Sequence, residues 1–293
     1  FCLSRGLGDV YKRQVLDGVG DEDRDGFHIS SASLGLDHYF NERLAVFARS
    51  LYARGRSAFN QVLSESAHID FEQWSASVGL RGQITTDWHT ELSVAQSRDE
   101  QDTYLEGAFR YRFNTRMTQI NWRNEFAFAD NWLWTVGADW REDRVDSTTD
   151  YEEKSRDNLG VYQVLQGRVE NHLLQASLRY DDNEAYGSET TGGLAWGYQL
   201  NDQLTSRVSY ETGFNAPNFN QLYWPGFGNP DLKPETSKTV EVGLRYQIQG
   251  GYIDGAVFHT RVDDLINQQP ENVDARMRGV ELETGWQDNN WHL

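Results

Sequence analysis

The sequence has almost no cysteine, only five prolines and no long hydrophobic run. The single cysteine, Cys2, excludes an internal disulfide and any metal cluster built from thiolates. No apolar stretch is long enough for a transmembrane helix. The net charge of −18 argues against nucleic acid as a partner, because the phosphates would be repelled.

Aromatic residues are plentiful in a chain that is otherwise polar. They make up 13% of the 293 residues and include ten tryptophans, whereas the mean hydropathy is −0.72. This balance is typical of a transmembrane β-barrel, in which only every second strand residue faces lipid. It also fits an aromatic-rich soluble β protein, so composition alone leaves both classes open.

Alternating apolar and polar residues predict about 13 β-strands and no helix. Polar residues such as Glu125, Arg179, Glu241, Arg245 and Glu281 occupy the face opposite the apolar one. The clearest apolar sets are Trp74, Ala76, Val78 and Leu80; Ile120, Trp122, Phe126 and Phe128; Trp132, Trp134, Val136, Ala138 and Trp140; Leu174, Ala176, Leu178 and Tyr180; and Val240, Val242, Leu244 and Tyr246.

The predicted strands are joined alternately by short turns and by long polar links. Short turns are expected near residues 40–42, 86–87, 129–131, 170–171, 201–202, 250–251 and 288–289. Long links are expected at 54–68, 98–114, 143–158, 181–190, 213–236 and 262–275. Up-and-down outer-membrane barrels show this alternation, with short periplasmic turns and long extracellular loops. A β-propeller would instead show a repeat of about 40 residues, and none is visible.

The segment from Thr212 to Tyr246 carries the most specific motifs. NAPNFNQLY at residues 215–223 is followed by GNPDLKPE at 228–235. Both motifs, in this order, resemble the barrel of TonB-dependent outer-membrane receptors, and within that family the cobalamin receptors most of all. LRYDDNEAYG at 178–187, RVDDLINQ at 261–268 and ARMRGVELETGW at 275–286 extend the resemblance, which runs from about Gly26 to the end of the chain.

The resemblance implies an all-β fold, an antiparallel up-and-down transmembrane β-barrel. About 13 of the 22 strands of such a barrel would be present, with no plug domain. It also implies an integral protein of the Gram-negative outer membrane, in contact with its lipid. Such a receptor binds a scarce ligand outside the cell, either cobalamin or a similar corrinoid, or else a siderophore or haem. TonB, which contacts an N-terminal box missing here, supplies the energy for import.

Both ends of the sequence look unusual. Residues 1–14 are basic within an acidic chain and resemble a non-native leader of the kind found in environmental sequencing reads, although an ordinary disordered tail fits them too. Residues 15–25 are expected to be a disordered link. Residues 26–293 are then a partial receptor barrel that is truncated at both ends, with no signal peptide before it.

The long link between the two motifs holds the candidate ligand-binding residues Tyr223, Trp224, Phe227 and Asn229. Aromatic side chains can stack on a planar ligand such as a corrin or haem, or they can pack within their own loop. No cofactor is expected. The resemblance implies calcium in the extracellular loops. Just before the predicted 54–68 link, however, Ala53 follows Tyr52 where an aspartate is expected, and Glu65 is the only acidic residue of that link. Both observations weaken the calcium prediction.

No catalytic residues are predicted, and the protein is not expected to be an enzyme. Asp37 and His38 resemble the acid and base of outer-membrane proteases, yet they precede a short turn and would lie at the periplasmic end. Acidic clusters at residues 99–102, 143–150 and 181–184 are expected in outer loops. An outer-membrane β-barrel enzyme and a soluble carbohydrate-binding β protein are the alternatives from other functional classes.

Overall fold

The computed structural model describes residues 26–61, 64–267, 269–288 and 291–292. The segments predicted to be a leader, 1–14, and a disordered link, 15–25, lie outside these residues. Within the described part, β-strands account for nearly all regular structure, as the alternating pattern predicted.

One antiparallel sheet contains all the described strands, and their order in the sheet is their order in the chain. Thirteen of the strands are long, and the last has two residues. The strands are β1 Phe27–Asn41, β2 Leu44–Gln61, β3 Ser64–Thr85, β4 Trp88–Leu105, β5 Ala108–Phe128, β6 Trp132–Ser147, β7 Ser155–Val169, β8 His172–Asn183, β9 Gly187–Gln199, β10 Leu204–Asn215, β11 Glu235–Ile248, β12 Gly251–Ile266, β13 Asn272–Asp288 and β14 Trp291–His292.

Strand register confirms that the predicted apolar sets share one face. Val208 of β10 pairs with Val242 of β11, which pairs with Val257 of β12, which in turn pairs with Val280 of β13. Because paired residues in an antiparallel sheet point to the same side, these valines form one continuous apolar row. The apolar face is therefore a property of the whole run of strands from β10 to β13.

This apolar face does not form a dry core. Val280 is 79% exposed and Leu178 50% exposed, and large hydrophobic side chains are exposed along most of the strands. Exposing that much hydrocarbon to water is unfavourable by about 25 cal/mol per Å². The face is therefore suited to an apolar environment.

The structure corrects the predicted long links. Residues 54–68 and 98–114 are mostly strand, because β2, β3, β4 and β5 continue through them, and residues 106–107 alone separate β4 from β5. Cross-strand ion pairs hold these extensions together: Arg56 Nε lies 2.5 Å from Asp70 Oδ1, and Arg112 Nε lies 2.6 Å from Asp102 Oδ1. Shorter connections also replace the other predicted links, at 148–154, 184–186, 216–234 and 267–271.

A short helix, α1 (Phe219–Tyr223), lies within the 216–234 connection, so the prediction of no helix was wrong. Its N-cap is Asn218, whose side chain accepts a hydrogen bond from Gln221 N, while Asn218 N donates to the side chain of Gln221. This capping box satisfies two backbone donors at the start of the helix. No helix in the described ranges is long and apolar enough to cross a membrane.

The contacts divide the chain into two compact units. The first contains the described residues up to Gly82, together with Glu91–Asn121 and Trp140–Asp157. Tyr151, Val145 and Thr103 are among its most buried residues. The second contains Gln83–Thr90, Trp122–Asp139 and the described residues from Asn158 onward, and it holds the candidate site.

Candidate functional site: a folded loop between β10 and β11

The 216–234 connection contains several apolar side chains that are buried. Pro217 and Leu222 are almost fully buried, and Phe219 and Leu232 are buried beside them in the same segment. Proline restricts the backbone, and burial of these side chains stabilises each of them by roughly 1.5–3 kcal/mol. The loop is therefore a folded element rather than an extended link.

A close approach of the backbone at Gly228 shapes the exposed end of this loop. A Cβ atom at Gly228 would lie 2.6 Å from Trp224 N and 2.7 Å from Leu222 O, so a larger residue would not fit without movement. Gly228 N donates to Trp224 O at 2.7 Å, which closes the turn. Gly226 adopts a φ of 74°, in the left-handed region that favours glycine.

The tight turn leaves two aromatic side chains on the surface of the loop. Trp224 is 38% exposed and Phe227 is 56% exposed. Tyr223 is half-buried, and its ring centroid lies 6.2 Å from that of Phe219. Of the three predicted aromatic contacts, Trp224 and Phe227 are thus the better presented to a ligand, while Tyr223 also packs within the loop.

Asn229, the fourth predicted ligand-binding residue, forms hydrogen bonds within the protein. Its Nδ2 donates to Pro270 O at 3.0 Å, and its Oδ1 accepts from Asp231 N at 3.0 Å. Both ends of the amide are therefore bonded within the protein, and one of them joins the loop to the β12–β13 connection. Contact between Asn229 and a ligand remains a prediction.

Further hydrogen bonds join the base of the 216–234 connection to the ends of β12 and β13. Asn272 Oδ1 accepts from Lys233 N at 3.1 Å, and Asn272 Nδ2 donates to Lys233 O at 3.1 Å. The Glu235 carboxylate accepts from Ile266 N at 2.9 Å and from Asn215 Nδ2 at 3.1 Å. Each of these bonds contributes about 1 kcal/mol, so the loop base is held from several directions.

A buried polar network lies on the polar face of β7 and β8, and sequence reasoning missed it. Asp181, Asn158 and Asn183 are all buried. Asn158 Nδ2 donates to Asp181 Oδ1 at 3.0 Å, and Asn183 Nδ2 donates to Asn158 Oδ1 at 3.1 Å. Tyr186 OH reaches the same Asn158 oxygen at 3.4 Å, and its ring centroid lies 6.1 Å from that of Phe214.

Arg179 completes this network. Its guanidinium lies 2.7 Å from Asp139 Oδ2 and 2.6 Å from Asp181 Oδ1, so it joins two nearly buried carboxylates. Asp181 and Asp182 were expected in an outer loop, but both belong to β8. The alternation of Tyr180 and Asp182 with Arg179, Asp181 and Asn183 was a signal that could have placed them in the strand.

The family profile described as "TonB dependent receptor-like, beta-barrel" matches residues 8–293, which is nearly the entire sequence. The chain belongs to this family of TonB-dependent receptors. The family is one of transporters and receptors of the Gram-negative outer membrane, and the partial antiparallel up-and-down sheet described above is its barrel fold.

Two curated relatives of this receptor chain share a name. The vitamin B12 transporter BtuB of Photobacterium profundum is 30% identical over 283 residues, which cover 91% of this chain and 46% of the relative. BtuB of Vibrio cholerae is 31% identical over 291 residues, covering 93% of this chain and 46% of the relative. The chain thus spans about half the length of the curated relatives that it matches.

Solved structures of other receptors share the fold. The ferric enterobactin receptor PfeA of Pseudomonas aeruginosa superimposes with a TM-score of 0.75 at 16% identity, covering 92% of this chain and 50% of PfeA. The siderophore receptor PirA of Acinetobacter baumannii gives 0.71 at 15% identity, covering 93% of this chain and 52% of PirA. At such low identity the likeness shows the fold alone.

Several acidic residues in the described part of this receptor chain form ion pairs instead of gathering in groups of possible metal ligands. No group of three His, Cys, Asp or Glu side chains there could hold a metal ion. The carboxylates instead have basic partners: Asp102 pairs with Arg112 and Asp143 with Arg156. In the 148–154 connection, a hydrogen bond from Lys154 lowers the pKa of Asp150. The side chain of Glu65 lies outside the described part.

Asp37 and His38 are not arranged as an acid–base pair. They are consecutive residues of β1, so their side chains point to opposite faces of the sheet. The Asp37 carboxylate accepts two hydrogen bonds from Arg49 Nη2, at 2.9 and 2.6 Å. The His38 ring lies edge-on to Phe40, with centroids 4.9 Å apart. This geometry provides no route for a proton from one side chain to the other.

Proposed function

We propose that this chain forms part of the barrel wall and the ligand-contacting loops of an outer-membrane receptor for cobalamin or a similar corrinoid. The receptor would bind its ligand outside the cell and import it with energy supplied through TonB. We infer the ligand class from the match of over 90% of the chain to vitamin B12 transporters at 30–31% identity. Transport itself is inferred for the whole receptor.

The folded 216–234 loop supports this role physically. Its base is hydrogen-bonded to the ends of β12 and β13 and to the connection between them, and several of its apolar side chains are buried, so little conformational entropy is lost when a ligand binds. Trp224 and Phe227 present flat apolar surfaces that can stack on a large ring system. In barrels of this kind the longer connections are extracellular, and this is the longest connection in the described part of the chain.

Uptake of labelled cyanocobalamin tests the proposal. Cells that express the gene encoding this chain, and that lack any other cobalamin receptor, should bind and accumulate the ligand. Deleting TonB should abolish accumulation but leave binding intact. Uptake of a ferric siderophore or haem instead would reassign the ligand and keep the receptor class. Recovery of the protein from the soluble fraction, with carbohydrate binding, would contradict the class.

Replacing Trp224 and Phe227 by Ala tests the loop contact. We expect cobalamin binding to whole cells to weaken about tenfold or more, because aromatic residues are enriched among the interface positions at which truncation to Ala costs more than about 1 kcal/mol. The amount of receptor in the outer membrane should not change. Phe128→Ala, an exposed aromatic next to the short 129–131 turn, is the matched control. Unchanged binding with a lower receptor level would give both aromatics a structural role.

A further inference from the structure

A groove of about 560 Å³ lies on the apolar face of strands β4 to β8. One wall is aromatic: the ring centroids of Trp88 and Phe126 are 5.5 Å apart, and those of Phe126 and Trp134 are 5.6 Å apart. The other wall is aliphatic and includes Val161 and Leu178. Between them, Val136 and Ala138 contribute small side chains to the lining.

The three indole donors of this groove are already bonded within the protein. Trp88 Nε1 donates to Asn124 Oδ1 at 3.1 Å, and Asn124 itself is buried. Trp122 Nε1 donates to Thr90 Oγ1 at 3.1 Å, and Trp134 Nε1 donates to Gln163 Oε1 at 3.3 Å. With its indole donors satisfied, the groove offers an occupant mainly hydrocarbon contact, so a purely apolar chain suits it.

The position of the groove along the strands indicates which lipid can reach it. Trp88 is the first residue of β4, Phe126 lies close to the end of β5 and Trp134 close to the start of β6. These strand ends adjoin the short turns at 86–87 and 129–131, and short turns are periplasmic in barrels of this type. From there the groove extends to Val161 and Leu178, nearer the middle of their strands.

We propose that this groove binds one acyl chain of a glycerophospholipid from the periplasmic leaflet of the membrane. An acyl chain is a flexible, unbranched hydrocarbon that can lie along the aromatic wall and contact Leu178 on the opposite side. An unfilled groove in the membrane would instead lose contacts along its whole lining. The proposal rests on the outer-membrane location that we propose for this receptor, and it is independent of the ligand that the receptor imports.

Native mass spectrometry of the whole receptor, released from outer membranes in mild detergent, tests the proposal. The wild-type receptor should retain one phospholipid. Ala138→Phe places a ring in the groove and should lower the lipid-bound fraction about tenfold, the loss that 1.4 kcal/mol gives. Ala138→Ile is a second, smaller blocking change. Ala76→Phe adds the same ring at an exposed alanine of the apolar face in β3 and should not alter the bound fraction.

The outcomes separate the groove from the membrane location. If all variants are recovered folded from the outer membrane and the Ala138 variants retain phospholipid like the wild type, the groove proposal is wrong and the location stands. Retention of lipopolysaccharide in place of phospholipid also overturns it, because the leaflet would be the other one. Recovery of the wild type from the soluble fraction would overturn the location and the groove together.

Discussion

Tyr180 and Asp181 are neighbours on β8, and their environments are the reverse of those in a water-soluble protein. The apolar ring of Tyr180 is 44% exposed, whereas the carboxylate-bearing Asp181 is 2% exposed. The same contrast holds between the apolar and polar faces of the neighbouring strands. An inverted pattern of this kind is stable when hydrocarbon surrounds the apolar face and charged groups satisfy one another on the other face.

The polar face achieves this by pairing arginines with carboxylates of their own strand and of strands one or two positions away in the sheet. Arg179 joins Asp139 and Asp181, and Arg207 lies 3.2 Å from Glu241 Oε1 and 2.8 Å from Asp254 Oδ1. On the apolar face, by contrast, the indole donors of the groove are bonded to side chains of the same face. The two faces therefore require opposite side-chain chemistry at consecutive positions.

The largest expected effect on stability is the difference between two variants that each place an arginine on one face of β10. Val208→Arg puts a guanidinium on the apolar face and should destabilise the folded receptor in the membrane by about 2–4 kcal/mol if the position is near the midplane. Ser209→Arg, one residue later, faces Glu241 across the strand pair and should be tolerated. The fraction of receptor that stays folded in detergent and runs as a compact band without heating measures both. Equal loss for the two variants would contradict the assignment of faces.

The next effect concerns the partners of Arg179. Arg179→Met should destabilise the receptor by about 2–3 kcal/mol, because the two nearly buried carboxylates lose their counter-charge. The Arg179 side chain is itself 32% exposed, which keeps the effect below that of a fully buried pair. Unfolding in urea, followed by the same gel assay, measures the change.

Two companion variants isolate the electrostatic cause. Arg49→Met removes an arginine whose partner, Asp37, is more exposed, and should cost at most about 1 kcal/mol. Adding Asp139→Asn and Asp181→Asn to Arg179→Met should recover part of the loss, because neutral amides are less costly to bury. If the triple variant is as unstable as Arg179→Met, packing of the arginine stem matters more than its charge.

The faces could be read from the sequence because alternation follows directly from strand geometry. The orientation of β2 could not be predicted in this way, because the apolar residue Phe47 occupies its polar face. The structure explains why: a Cβ at Gly79 would lie 2.4 Å from the Phe47 ring, so the ring lies across that glycine. The Arg81 guanidinium carbon is also 4.3 Å from the ring centroid. Both contacts come from the next strand, which the local pattern of β2 cannot show.

The loops could be predicted only in part, because polarity alone does not end a strand. Residues 54–68 are polar, yet pairing such as that between Arg56 and Asp70 extends the strands. The 216–234 connection contains four prolines and two glycines, Gly226 and Gly228, and these residues do interrupt the sheet. The Asn218–Gln221 spacing could have revealed α1. The bond from Asn229 to Pro270 could not be foreseen, since it depends on how two connections meet.

The smallest expected effect compares two glycines, one on each face. Gly243 lies beneath Arg207, since a Cβ there would be 2.5 Å from the guanidinium carbon. Gly255 has no atom within 4 Å of its Cβ position, and it pairs with Leu244 on the apolar face. Gly243→Val should displace Arg207 from Glu241 and Asp254 and cost about 1–2 kcal/mol.

Gly255→Val adds the same side chain where the structure has room, and it should be neutral or stabilising by a few tenths of a kcal/mol. Urea unfolding of both variants in detergent and in phospholipid bilayers provides the measurement. The benefit of Gly255→Val should be larger in bilayers, because hydrocarbon would surround the new side chain, whereas the cost of Gly243→Val should be the same in both media. If Gly243→Val is also neutral, Arg207 can pair with Glu241 and Asp254 without lying across Gly243. Close packing of the polar face is then not needed for these ion pairs.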